Sequence, residues 1–117
     1  MNIEDFRKYC LAKKGVTEEF PFDETTLVFK VMGKMFVLTD IVEFKQINVK
    51  VDPEEGADLR ERYDFVQPAF HMNKRHWISV GLEGQAPERL VLAWVDKSYD
   101  LVVLGLTKSQ KAALGGL

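Results

Sequence analysis

At 117 residues, 46% hydrophobic and 29% charged, the chain has the size and make-up of one globular domain, residues 1–117, and not of a disordered segment. A net charge of −2 argues against a dedicated nucleic-acid binder of the usual basic kind, and the single cysteine, Cys10, excludes an internal disulfide and suits a reducing cytosol. No apolar stretch approaches the roughly 20 residues that span a bilayer, and the opening "MNIEDFRKYC" lacks a signal-peptide core, so a cytoplasmic domain without a membrane partner is expected.

Asn2 caps a first helix with Asp5 in its first turn, and Ile3, Phe6 and Cys10 form its apolar stripe. Lys13 and Lys14 suit the negative end of that helix, and Gly15 suits a left-handed stop. After "EEFPFDE" the pattern alternates. Leu27, Phe29 and Val31 lie opposite Val28, Lys30 and Met32, and a tight turn at Gly33 leads into Met35, Val37, Thr39 and Ile41. This predicts a β-hairpin. A third strand follows, with Ile47, Val49 and Val51 on a packed face and Gln46, Asn48 and Lys50 on a face expected to be wet.

"DPEEGADLRERYD" reads as a helix capped by Asp52, with Pro53 at its first position and Leu59 and Tyr63 facing the sheet. "HWISVGL" alternates again and predicts a strand. "APERLVLAWVDKSYDLVVLGLTKSQKAAL" keeps a helical period, is broken at Gly105, and leads to a short last helix from Thr107. Helix, three strands, helix, one or two strands and helix make an α+β domain, with helices on one face of an antiparallel sheet.

The stretch "PAFHMNKRHW", residues 68–77, holds both histidines and one tryptophan. His71 and His76 face opposite ways on a strand and lie about 140° apart on a helix, so only a turn brings them together. No His-Glu-x-x-His or Cys-x-x-Cys accompanies them, and no metal or other cofactor is expected. Cys10 lies on an apolar stripe and Ser79 has no glycine elbow, so no catalytic nucleophile is expected and the chain is read as a non-enzyme. From Phe65 to Leu82 there are cations, Lys74 and Arg75, and no acid. Lys30, Lys34, Lys45 and Lys50 add to the strand region, while acids gather in "TEEFPFDE" and the second helix. A basic sheet side and an acidic helical side are expected, on which Trp77 or Phe70 could stack against a base. The plainer explanation is that these lysines are the solvated edge of half-buried strands. Asn73 suits a turn and Trp77 can lie on the sheet.

"PAFHMNKRHWISV" resembles the signature of the MmcQ/YjbR family of small bacterial proteins. "CLAKKGVTEEFPFDETTLVFKVMGKMFVL", with Pro21-Phe22 and residues 33–36, "KVDPEEGADLRERYD", and "VDKSYDLVVLGLTKSQK", with Ser98 and Tyr99, resemble other parts of it in order. The family's usual Gly-Tyr before the first histidine is here Ala69-Phe70, which removes a hydroxyl. The resemblance implies a two-layer α+β fold of order α-β-β-β-α-β-β-α, likened both to double-wing DNA-binding domains and to secretion chaperones. The first likeness implies DNA binding through a strand-and-turn surface. Lys74 and Arg75 would contact phosphate, with Lys34 at the hairpin tip as a second contact. His71, Asn73 and His76 would position the turn or donate hydrogen bonds, and Trp77 would brace it. The second likeness implies a protein- or peptide-binding module that is a monomer or weak dimer. A small-ligand or metal pocket around His71 and His76 is the third alternative, behind the reading without metal.

Overall fold

Local signals close most of the elements in the computed structural model, which describes residues 1–84 and 86–117. The Asn2 side chain accepts the Asp5 N–H at 2.8 Å and opens α1 (Ile3–Leu11), whose Phe6 and Cys10 are fully buried. Four strands follow: β1 (Val16–Glu19), β2 (Thr26–Val31), β3 (Lys34–Asp40) and β4 (Gln46–Lys50). Asp52 then accepts the Glu54 and Glu55 N–H groups and starts α2 (Pro53–Arg62) with a proline at the position where a missing N–H costs nothing. Strands β5 (Val66–Pro68) and β6 (Trp77–Gly81) precede α3 (Glu88–Leu104) and α4 (Lys108–Gly115). The last helix opens on a reciprocal capping box between Thr107 and Gln110.

The strands form one antiparallel sheet of order β1-β2-β3-β4-β6-β5, and the helices pack on one of its faces, as an α+β domain should. Between β2 and β3 the chain reverses through Met32 (φ 50°) and Gly33 (φ 82°). Both central residues need positive φ in the tight turn that matches strand twist. Methionine rarely takes that conformation; here its side chain is half-buried against the main core.

The register slips between Phe29 and Lys30, which leaves Phe36 without a partner on β2. The buried Ser98 of α3 takes up the consequence. Its hydroxyl donates to the Phe36 carbonyl at 2.6 Å and accepts the Lys50 N–H at 2.8 Å. The β3–β4 ladder ends at Val37↔Val49, so one side chain stands in for the next pair of strand bonds.

Two expectations about the sheet need correction. Strand β1 was hidden because Val-Thr-Glu-Glu carries no apolar alternation. It is held by pairing with β2 and by ion pairs from Arg7 to Glu18 and from Lys30 to Glu19. The face expected to be wet is partly packed, since Val28, Leu38, Ala69 and Trp77 form a second buried cluster there, flanked by Met35 and Met72.

Candidate functional site

The second cluster exists because the connection from β5 to β6 folds back over the open face. Asn73 organises this return. Its side-chain oxygen accepts the Arg75 N–H at 2.9 Å, and its carbonyl accepts the N–H groups of His76 and Trp77 at 3.1 and 3.0 Å. This is the local self-bonding for which asparagine is favoured in turns. The His76 carbonyl then accepts the Val51 N–H at 2.8 Å, locking the turn to the end of β4. Trp77 is only 9% exposed and packs with Val28, Leu38 and Ala69, so its ring offers no face to a base. Phe70, by contrast, is 67% exposed, with the Lys74 ammonium 5.6 Å from its ring centre.

Beside this turn lies a cleft of about 730 Å³ on the open face. Its floor is Met35, Leu38 and Asn48, and His71, Met72 and Asn73 wall one side. Phe22, Asp23, Thr26, Asp40 and Gln46 complete it. Asn48 is fixed by the Ser79 hydroxyl, which donates to its side-chain oxygen. At one end, Asp23 accepts the Thr25 and Thr26 N–H groups at 2.9 and 2.6 Å, with the Thr26 hydroxyl donating to its other oxygen at 3.0 Å. These bonds, led by that from the Thr26 N–H, hold the Asp23 carboxyl below its usual range. Thr26 pairs with Asp40 across the sheet, and Asp40 accepts the Val42 and Glu43 N–H groups at 2.8 and 3.0 Å. The register thus sets both carboxylates at the same end.

The expected division between a basic sheet side and an acidic helical side does not hold. Lys30 is paired with Glu19, and Asp23 and Asp40 belong to the sheet face. Charge is separated along the strands instead. Thr26↔Asp40 closes one end of the β2–β3 pair and Val31↔Lys34 the other, a span of about 20 Å over six residues. Lys34 begins β3 at the end where Lys50 pairs with Trp77, and the turn carrying Lys74 and Arg75 enters β6 there. Lys34, Lys74 and Arg75 are exposed, and none has a carboxylate partner among the described residues. Asp52, the cap of α2, shares the end with them.

His71 and His76 are not brought together in one site. His71 lines the cleft, whereas His76 is half-buried and does not. Among the described residues no three His, Cys, Asp or Glu side chains converge as a metal site would require. Cys10 is fully buried, and that burial pushes its thiol up to about 12, the nearby Lys13 opposing only in part; it supplies no thiolate at neutral pH. Sequence reasoning missed Phe22, Asp23, Asp40, Gln46 and Asn48. They come from three segments, near 22, 40 and 47, and no spacing rule joins them.

Residues 11–101 match the family model described as YjbR. The chain is 31% identical over 115 residues to the uncharacterized protein YjbR of Escherichia coli K12, covering 97% of this chain and 98% of that protein. It is 38% identical over 90 residues to the uncharacterized protein YbdF of Escherichia coli O157:H7, covering 76% and 74%. The crystal structure of a Deinococcus radiodurans protein superposes with a TM-score of 0.89 at 40% identity, covering 97% of this chain and 88% of that one. A Pseudomonas syringae structure superposes at 0.73 with 29% identity, covering 86% and 98%.

Proposed function

The chain belongs to the YjbR family, and we propose that it is a non-enzymatic nucleic-acid-binding domain that grips duplex DNA by its phosphates at the basic end of the sheet. The observation that carries this reading is that Lys34 starts β3 at the sheet end where the turn with Lys74 and Arg75 enters β6, all three exposed and without carboxylate partners among the described residues. Strand β4 alone separates β3 from β6, so the two strands next to these cations run about 10 Å apart. Long side chains from the hairpin and from the turn then address one stretch of phosphate backbone. Asn73 sets the direction of Arg75 by holding its N–H, and the Phe70 ring supports Lys74. His71 and His76 flank these contacts as hydrogen-bonding groups. Trp77 acts from beneath, as the buried brace of the turn.

Contacts of this kind give weak, sequence-independent affinity and a steep response to salt. In a fluorescence-anisotropy titration of a random duplex at about 50 mM salt, three phosphate contacts give a slope of about −2.7 in log affinity against log salt. The double variant Lys74→Glu, Arg75→Glu loses binding while its unfolding transition stays where it was. Absence of saturation at about 50 μM protein, where even non-specific binding registers, sinks the reading. A second reading is favoured by Phe22 and Phe70, which are 63% and 67% exposed at the rim of the open face. It is a protein- or peptide-binding module; its affinity would be nearly indifferent to salt and to the Lys74 and Arg75 reversals.

A further inference from the structure

The cleft on the open face has a chemistry opposite to that of a phosphate site. Twelve residues line it, including Asp23 and Asp40 and, among the described residues, not one lysine or arginine. Its volume of about 730 Å³ falls within the range of roughly 300–1,000 Å³ typical of small-molecule sites. We propose that this cleft binds a small organic cation, an amine or amidine carried on a flat apolar body.

The lining is ordered along the strands in the way such a ligand requires. The two carboxylates share one end, because Asp40 pairs with Thr26 and Thr26 holds Asp23. Backbone and hydroxyl donors fix both before any ligand arrives, so little rotamer freedom is lost on binding. The Asp40 oxygen Oδ1 takes both capping bonds, and its Oδ2 accepts none within the described chain, leaving an acceptor for an incoming ammonium. Phe22 stands at the same end and is largely exposed; an aromatic face beside carboxylates favours a cation further. Met35, Leu38 and Met72 continue the cleft as an apolar bed, and thioethers pack well against flat rings. His71 and the amide of Asn48 lie along that bed as polar partners for the far side of the ligand.

Capping alone would explain why Asp23 and Asp40 are where they are. It does not explain a cleft that leaves the half-buried Met35 and Met72 open beside them, over the buried Leu38. Exposed ion pairs contribute little by themselves. The affinity therefore comes from charge and apolar contact acting together, and a ligand with only one of the two binds weakly.

The test is an amide NMR titration of the full chain with tyramine and benzamidine as the cationic probes. The neutral 4-ethylphenol and the anionic 3-(4-hydroxyphenyl)propionate carry similar rings without the charge. Saturable shifts at Asn48, His71, Met72 and the Val42–Glu43 amides are expected with at least one cation, with 4-ethylphenol about tenfold weaker and the anion silent. Asp40→Asn keeps the capping oxygen and removes the charge, so it leaves the unfolding transition in place and weakens the cation about tenfold. No saturation with either cation by about 10 mM, well past the weakest affinity of use here, overturns the proposal. Equal affinity for cation and anion, or an undiminished Asp40→Asn, overturns it too.

Discussion

The two faces of the sheet are made from alternate residues of the same strands, yet they are built to different standards. On the helical face Leu27, Phe29, Val31, Ile47 and Val49 are fully buried, and helices α1 to α4 all contribute to one core with them. Of the hydroxyls trapped there, Thr39 donates to the Gln46 carbonyl and Ser98 has both a donor and an acceptor partner. On the open face the buried apolar cluster among the described residues is small, Val28, Leu38, Ala69 and Trp77 with the hydroxyl of Ser79 beside it, under a turn that holds itself by short-range bonds around Asn73. The rest of that face keeps its amides, carboxylates and methionines in a cleft. The difference teaches that folding is secured on one side, so that the other side can carry exposed chemistry with little loss of stability.

The largest expected effect tests that division directly. Phe29→Ala empties a fully buried site on the helical face and should cost about 3–5 kcal/mol. Leu38→Ala, on the open face of the neighbouring strand, should cost about 2–3 kcal/mol, the low end for a buried leucine, because the turn above it can settle into the space. Urea unfolding of both variants measures this, and equal or inverted costs would erase the distinction.

Next in size is Ser98→Ala. It strands the Phe36 carbonyl and the Lys50 N–H in a dry place, and should cost about 1–3 kcal/mol. Amide exchange at Lys50 should accelerate more than at Val49, whose own strand pairing is intact. A uniform change along β4 would mean that the hydroxyl is not the local bridge. Smaller again is Asn73→Ala, with a global cost of about 1 kcal/mol and most of its effect confined to the turn. Faster exchange at Arg75, His76 and Trp77 is expected, with the helical face unchanged.

How much of this was legible in the sequence depends on the range of the forces involved. The caps at Asn2, Asp52 and Thr107 act over three residues and can be read from residue type and spacing. The alternation of β2, β3 and β4 is likewise local, and so is the helical period of α3. Strand β1 is not legible, because Val16–Glu19 becomes a strand through β2 and through Arg7, which lies before it in the chain. The short β5 ends on Pro68, a residue that interrupts a strand pattern and is tolerated at a sheet edge. Trp77 was read as lying on the sheet and bracing the turn, and it is buried there. The candidate site was half legible. Lys34, Lys74 and Arg75 stood out as cations in acid-poor sequence, and the register puts Lys34 at the end where the turn carrying the other two enters β6. The cleft is assembled from residues near 22, 40, 47 and 72, and no spacing rule connects them.

The smallest effects concern pH, and they separate the faces by the direction in which each weakens. Behind the helical face, burial pushes the Cys10 thiol up to about 12. Burial, with help from Asp96, does the same to the Tyr9 hydroxyl. Both groups hold their protons more tightly when folded than when unfolded, where the thiol titrates near 8.5 and the phenol near 10. Their contribution is complete below about pH 8.5 and is lost as pH rises toward 12. On the open face Asp23 is shifted the other way, chiefly by the Thr26 N–H and then by the Thr25 N–H. Its contribution is complete above about pH 4 and is lost as pH falls through its lowered folded value. Alkaline titration should therefore weaken the whole fold through α1, with a gentler slope in Cys10→Ala. Acid titration should first release the Thr25 and Thr26 amides at the mouth of the cleft, while the α1 amides stay protected. Simultaneous loss of both sets below pH 4 would show that the open face is tied to the core more tightly than its few buried residues imply.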